Sequence, residues 1–490
     1  GQGLSVAAGL ACAARLDGYS KRIFCIIGDG ESREGQVWEA MDFCADHRLG
    51  NVVAIFNCNG LGQSDWVSPA ENWQHLAAKA TSFGARAEIV DGHDPAAIER
   101  VLEFRDDAKP LAVIARTVKG WGVPSIGGTG HHGTPVAKAA LDGALAELEA
   151  TARQLGVDDV KPEELAALAV TPPDERPSPV PTPQTPIGFG AAASRDPKIA
   201  KAAAAKKLSP RRAFGMALAA LGEADPRIVA LDGDVKNSTY AETFANAFPD
   251  RYFEARIAEQ NMVSAASGLA AAGKIAFAST FGRFLERAFD QVEMAIIGGL
   301  PVKLVGTHVG VTLAADGPSQ MALADVGFAR ALAHAAVPKG HSLAVLTPAD
   351  AVSAYKLVLA MAEYDGPAYL RAVRADLPIL YDESEDFPFG GHKLLRPEAR
   401  PALVLASAGY HVHSCLAAAE TLASRGLPAA VVDAYALPLE AGPLLDMARR
   451  AGAAILAVED NYVGGLGSEL AEASAAQDVP VTVRSLAVRR

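Results

Sequence analysis

A chain of 490 residues, half of them hydrophobic and 21% charged, is long enough for about three globular domains with sizeable cores. Its net charge of -12 argues against non-specific binding to nucleic acid or an anionic membrane, yet a local arginine cluster could still hold small anions. No apolar run is long enough to span a bilayer, and five cysteines without a CxxC pair fit buried thiols in a reducing compartment, the cytoplasm, better than a disulfide framework.

Residues 4–16 are rich in alanine and leucine and predict a helix stopped by Gly18. An apolar run, residues 23–27, ends in Gly28-Asp29-Gly30. A helix-like stretch leads to a second apolar run, residues 52–56, ending in Asn57-Cys58-Asn59-Gly60-Leu61-Gly62. This is strand, glycine turn, helix, strand, and ligands bind at the carboxyl edge of such parallel sheets. Asp29 and Asn59 are expected to converge from neighbouring strand ends. A carboxylate, an amide and a loop carbonyl suit a hard cation that takes oxygen ligands. The glycines let backbone N–H groups approach phosphate. The pattern implies a diphosphate bridged by a metal ion.

Residues 73–83 have helical spacing, 87–90 and 111–115 read as strands, and 137–155 as helix. Between the last two lies a loop carrying Lys119, His131 and His132. Composition shifts between residues 171 and 193, where dense proline predicts an extended interdomain linker over the surface. A second α/β segment begins near Ser209, with strands expected at 228–231, 252–255, 275–278, 302–306, 343–346 and 368–371. After an acidic loop at 382–389, a third unit begins near Pro401, with strands at 402–406, 429–432, 454–458 and 481–486.

Several words in this α/β frame are more specific than any single residue. A lone Gly-Asp-Gly is a tight turn, and a lone arginine is a solvated charge. Here Gly-Asp-Gly is followed about thirty residues later by asparagine, within GDGE, EGQVWEA and NGLGQS, and IAEQNM and DGPSQ follow downstream. Together they resemble the transketolase family, on its mammalian-like branch, over essentially the whole chain. The resemblance implies three consecutive α/β domains: a diphosphate-binding domain at 1–165, a linker at 166–207, a pyrimidine-binding domain at 208–385 and a C-terminal domain at 386–490. The first two are thiamine-diphosphate-binding folds with parallel sheets. Gly1-Gln2-Gly3-Leu4-Ser5 resembles the middle of a family segment, GSLGQGLS. The chain is therefore expected to be an internal fragment, without the family's N-terminal region, which holds two further active-site histidines, and without its C-terminal end.

The same resemblance assigns residues. Thiamine diphosphate would bind with Mg²⁺ (or Ca²⁺ or Mn²⁺) held by Asp29, Asn59 and the carbonyl of Leu61, with Gly30 close to the diphosphate and Lys119 nearby. His132 would contact cofactor and substrate, with adjacent His131 the lesser candidate. Glu259 would hydrogen-bond the aminopyrimidine and favour the imino form that takes the thiazolium proton; the resulting carbanion is the nucleophile. Phe284 would stack on the pyrimidine with Phe281 lining the pocket, and Gln320 would lie near the cofactor. His308 would contact the donor sugar and Asp316 a substrate hydroxyl. Ala315 departs from the family's usual glutamate and weakens any contact that depends on that carboxylate. Arg211 (or its neighbour Arg212), Ser238 and Arg374 would clamp a sugar phosphate, since guanidinium matches phosphate in a fork geometry. Glu259, His132 and His308 are the implied catalytic groups.

The implied reaction is reversible ping-pong transfer of a two-carbon ketol unit from a ketose phosphate to an aldose phosphate, in the pentose phosphate pathway. A homodimer with active sites at the subunit interface is implied, with no nucleic-acid or membrane partner. The alternatives are another thiamine-diphosphate enzyme, such as deoxyxylulose-phosphate or dihydroxyacetone synthase, and a non-catalytic relative that only binds.

Overall fold

The computed structural model describes residues 1–68, 72–106, 108–128, 131–157, 160–161, 163–164, 182–335 and 341–489. They form two compact units, 1–180 and 181–490. Most of the proline-dense stretch, 165–181, lies outside the described residues, as do Thr129 and Gly130.

The first unit is built on a parallel sheet of β1 (Ile23–Gly28), β2 (Val52–Cys58), β3 (Arg86–Asp91) and β4 (Leu111–Arg116), in the order β1-β2-β4-β3. The central strands β2 and β4 are apolar nearly throughout and mostly buried, as a strand covered on both faces requires. Edge strand β1 exposes Phe24 and Ile26. Gly28 of β1 pairs with Asn57 of β2, so Asp29 and Asn59 leave adjacent strand ends. The helices Trp73–Ser82 and Pro95–Leu102 start where Asn72 and Asp94 accept first-turn N–H groups, the usual side-chain cap.

The second unit holds a seven-stranded sheet of β6 (Ile228–Asp232), β7 (Tyr252–Glu254), β8 (Ile275–Phe281), β9 (Lys303–Thr307), β10 (Ala344–Leu346), β11 (Ala368–Ala372) and β16 (Ala436–Leu437). Its order is β16-β10-β11-β9-β8-β6-β7, and only β16 runs antiparallel. The short strands β5 (Lys207–Leu208) and β12 (Leu377–Pro378) pair with each other. A five-stranded sheet contains β13 (Lys393–Arg396), β14 (Leu403–Ser407), β15 (Ala429–Asp433), β17 (Ala454–Val458) and β18 (Val483–Leu486), ordered β13-β15-β14-β17-β18. Among the described residues no helix is long and apolar enough to cross a membrane.

One feature of this unit differs from the sequence expectation. The span 166–207 was expected to be linker, but its described part carries the helices Phe189–Ala193 and Pro197–Ala204. Phe189 is buried edge-on against Tyr355, whose hydroxyl donates to the Ile187 carbonyl at 2.7 Å. Asp196 caps the second helix and Pro197 opens it, so alanine and lysine beyond the last proline fold locally. The second and third segments also share structure. Strand β16 follows β15 but pairs Leu437 with Val345 of β10. Buried Arg371 on β11 binds Asp325 at 2.7 Å and Asp460 at 3.3 Å, and removing one partner of such a buried cluster costs about 3–5 kcal/mol.

Candidate active site

In the first unit the turn after β1 and the loop after β2 are tied together by Asp29. One of its buried carboxylate oxygens accepts the Gly60 N–H at 2.5 Å and the other the Gly30 N–H at 2.8 Å. Asn59 Oδ1 accepts the Leu61 N–H at 3.0 Å. Asp29, Asn59 and Gly60 line a cavity of about 250 Å³, closed by Trp66, Trp73 and Arg116. Leu61 is not on its wall and is bridged antiparallel to Trp66. Among the described residues no three His, Cys, Asp or Glu side chains are grouped to hold a metal. The donor set here is one carboxylate and neutral oxygens. A carboxylate has about four lone-pair sites, and two are used, so Asp29 and Asn59 retain acceptor capacity for a divalent cation. These residues fit the cation that the diphosphate motif implies.

Lys119 and His132 also meet, with Nζ 3.1 Å from Nδ1. An ammonium can only donate, so Nδ1 accepts and the ring proton sits on Nε2. Val118 N–H donates to His93 Nε2, and the His93 ring stacks on Trp121 at 4.5 Å, which anchors the same loop.

In the second unit β11, β9, β8 and β6 lie side by side, and candidate residues follow their carboxyl ends. Phe281 closes β8, stacking on Phe284 (5.0 Å) and on the imidazole of His308 (3.8 Å). His308 follows β9 at φ +57° and is 3% exposed. Gly310 holds this turn: at φ +72°, a Cβ there would fall on the Asp460 carboxylate. Arg211 enters from the first turn of the helix Pro210–Ala224. Its Nη1 donates to the Ser238 carbonyl at 2.7 Å and to His308 Nε2 at 3.3 Å, and its Nε to the Arg374 carbonyl at 3.3 Å. Arg374 faces Asp316 at 3.5 Å. Ser238, His308, Asp316, Arg211 and Arg374 therefore form one cluster beside the Phe281–Phe284 stack. Gln320 is on the same loop as Asp316 and donates its N–H to the Gly317 carbonyl at 3.2 Å.

Cations dominate the electrostatics of this cluster, with Asp316 facing Arg374 and Asp376 acting on Arg211 as the opposing charges. Arg211 and Arg212 occupy the start of a helix, where the macrodipole already favours anions over cations. Burial, with Arg374 and Arg212 among the neighbouring charges, holds Arg211 below the ordinary arginine value. Burial first, then Arg211 and Arg374, push His308 down to about 3. His308 is thus neutral, with Nε2 accepting from Arg211 and Nδ1–H donating to Thr307 Oγ1 at 2.9 Å. Such crowding of cations is a site for an anion.

Glu259 is the first residue of the helix Glu259–Ala271 and is 3% exposed. Its surroundings are not purely apolar, because the Arg287 guanidinium lies 3.8 Å from one carboxylate oxygen.

Three family models cover most of the chain: the transketolase thiamine diphosphate binding domain over residues 1–171, the pyrimidine binding domain over 206–379 and the C-terminal domain over 392–489. The chain belongs to the transketolase family. It is 37% identical to transketolase-like protein 2 of Mus musculus over 503 aligned residues, covering 100% of this chain and 74% of that one. Against the transketolase of Homo sapiens it is 37% identical over 497 residues, covering 100% and 75%. The solved transketolase of Campylobacter jejuni superposes with a TM-score of 0.73 at 19% identity, over 100% of this chain and 77% of that one. A split-gene transketolase, described as an inactive β4 tetramer, matches 58% of this chain and 89% of its own at 36% identity and a TM-score of 0.51.

Within this transketolase-family chain, three residues beside the Arg211–Arg374 cluster carry no motif that singles them out. Tyr240 lies next to both Arg211 and Arg212. Asp232 is wholly buried at the end of β6 and accepts from Val235 N–H, Thr239 Oγ1 and Ser279 Oγ, so it pins the turn that carries Ser238. Burial raises it to about 7 against those hydrogen bonds. Thr307 Oγ1 accepts the His308 Nδ1–H, in the tautomer that the donor-only Arg211 guanidinium on Nε2 sets. For Asp232 and Tyr240 the sequence signal was the polar run 232–240 at the end of an apolar strand, and for Thr307 its place at the end of the apolar strand before His308.

Proposed function

We propose that the protein works as a transketolase: it moves a two-carbon ketol unit between sugar phosphates with thiamine diphosphate and Mg²⁺. The observation that carries this is the cluster of Arg211, Arg374, His308, Ser238 and Asp316 at the carboxyl edge of the pyrimidine-domain sheet, next to Phe281 and Phe284. When bound, the cofactor supplies the nucleophile and the electron sink.

The protein groups then have separable tasks. Asp29 and Asn59, with the Leu61 carbonyl, hold the divalent cation, and Gly30 lets the diphosphate approach. Lys119 fixes the His132 tautomer, so that Nε2–H is offered to cofactor or substrate. Glu259 holds a proton against the aminopyrimidine, Phe284 stacks on it with Phe281 lining the pocket, and Gln320 stands near it. Arg211 and Arg374, with Ser238, hold the sugar phosphate, while His308 accepts a hydrogen bond and Asp316 takes a substrate hydroxyl. The working assembly is a homodimer in the cytoplasm; among the described residues the five cysteines form no disulfide, which supports a reducing compartment.

The relatives include transketolases and transketolase-like proteins at similar identity, so activity needs its own test. The full-length protein is assayed with xylulose 5-phosphate and ribose 5-phosphate, and separately with pyruvate and glyceraldehyde 3-phosphate. Turnover of the first pair, abolished by chelation and restored by Mg²⁺, is the expected result. Turnover of the second pair alone would assign a different thiamine-diphosphate reaction. Failure to bind thiamine diphosphate with Mg²⁺ by calorimetry would make the protein a non-catalytic relative.

A further inference from the structure

Tyr240 belongs to none of the groups assigned above, yet it holds an unusual position. It follows the short helix Lys236–Thr239 at φ +69° and ψ 12°, in the left-handed region where a bulky side chain is strained. The packing around it keeps it there. Its carbonyl accepts the Thr243 N–H at 3.2 Å. Gly215 lies so close that a Cβ on it would sit 2.5 Å from the Tyr240 oxygen and 2.7 Å from the Tyr240 Cβ. The strain therefore accompanies a fixed placement of the ring.

That ring is shared by two like charges. The Arg211 guanidinium carbon lies 5.1 Å from its centroid and that of Arg212 lies 5.4 Å away. The phenol oxygen accepts from Arg212 Nε at 2.8 Å. Arg212 acts on Arg211 as a repelling charge, and both oppose the helix dipole. A π face within about 6 Å of a guanidinium offsets part of that cost. The phenol also ties Arg212 by its Nε. Arg211 spends its Nε and Nη1 hydrogens on the Arg374 carbonyl, the Ser238 carbonyl and His308. Its Nη2 has no hydrogen-bond partner among the described residues.

We infer that Tyr240 is a positioning residue for substrate phosphate: it braces Arg212 and supports the Arg211 guanidinium, so that Nη2 is offered to a phosphate oxygen. This rests on the reading of Arg211 as part of a sugar-phosphate clamp. The consequence is selective, because an unphosphorylated ketose does not use that bond.

The test compares Tyr240→Leu and Tyr240→Phe with the unsubstituted full-length protein. Dissociation constants are measured by calorimetry for xylulose 5-phosphate and for xylulose, and KM and kcat are measured for both. Leucine keeps the strained backbone and removes the ring. It is expected to weaken xylulose 5-phosphate about 3–30-fold, with kcat within about twofold and xylulose unchanged. Phenylalanine keeps the ring and is expected to restore most of the affinity. An equal loss for both sugars at a lowered melting temperature would make Tyr240 merely structural. Unchanged affinity for xylulose 5-phosphate in Tyr240→Leu, or no binding of it by the unsubstituted protein, would also overturn the inference. Normal binding and the expected ratio without turnover would sink the catalytic reading and leave the role of Tyr240 standing.

Discussion

Replacing Arg211 by methionine separates a binding residue from a structural one, because its two effects are read by different measurements. In the fold, Arg211 donates to the Ser238 and Arg374 carbonyls at 2.7 and 3.3 Å, together worth about 1–3 kcal/mol at a half-buried position. Against this, a cation in the first turn of a helix costs about 0.3–1 kcal/mol, and Arg212 and Arg374 repel it. The net loss of stability is therefore about 0–2.7 kcal/mol before that repulsion is counted. A ligand phosphate, in contrast, loses a charge-assisted bond worth about 1.5–3 kcal/mol, or roughly 10–150-fold in affinity. The assay pairs thermal unfolding at low salt with calorimetric titration by xylulose 5-phosphate. A second readout is the His308 ring. Arg211 contributes to its depression but burial is the larger cause, so in Arg211→Met its titration moves up without reaching the ordinary histidine range. An unfolding midpoint lowered by more than about 5 °C, with affinity changed less than twofold, would refute the argument and make Arg211 a structural brace.

Glu259→Gln keeps the shape of the residue and removes its exchangeable acid. Turnover is expected to fall about 10²–10⁴-fold with thiamine diphosphate still bound, and near-normal turnover would remove Glu259 from the chemistry. His308 is neutral in the fold down to about 3, whereas an unfolded histidine protonates near 6.5. The stability tied to its neutral form is complete above about 6.5 and is lost as pH falls towards 3, at up to about 1.4 kcal/mol per pH unit. Urea midpoints of the protein and His308→Gln should therefore diverge in favour of the variant below pH about 6.5, and a constant gap would contradict the burial argument. Gly310→Ala puts a Cβ onto the Asp460 carboxylate at φ +72° and should cost more than about 2 kcal/mol by chemical denaturation.

The alternation of apolar runs and helical stretches made most strands legible, and β17 (Ala454–Val458) was placed to the residue. Long, uniformly apolar strands such as β2 and β4 announce themselves because both faces are covered. The short strands β5, β12 and β16 did not, because a two-residue ladder has no period to detect. The helices Phe189–Ala193 and Pro197–Ala204 were hidden by the prolines just before them, although Asp196-Pro197 is a regular helix start.

The chain's own order of residues was enough to establish its family, its α/β class and the motif residues at strand ends. The reason is that a strand followed by a glycine turn leaves its next side chains at the sheet edge wherever it occurs. Tertiary structure alone decided which of two adjacent arginines faces the site, that His308 is held neutral, and that Tyr240 stands between like charges. Those outcomes depend on burial and on groups 27 to 163 positions apart in the chain meeting Arg211. Contact and dielectric at that range arise only when the chain is packed.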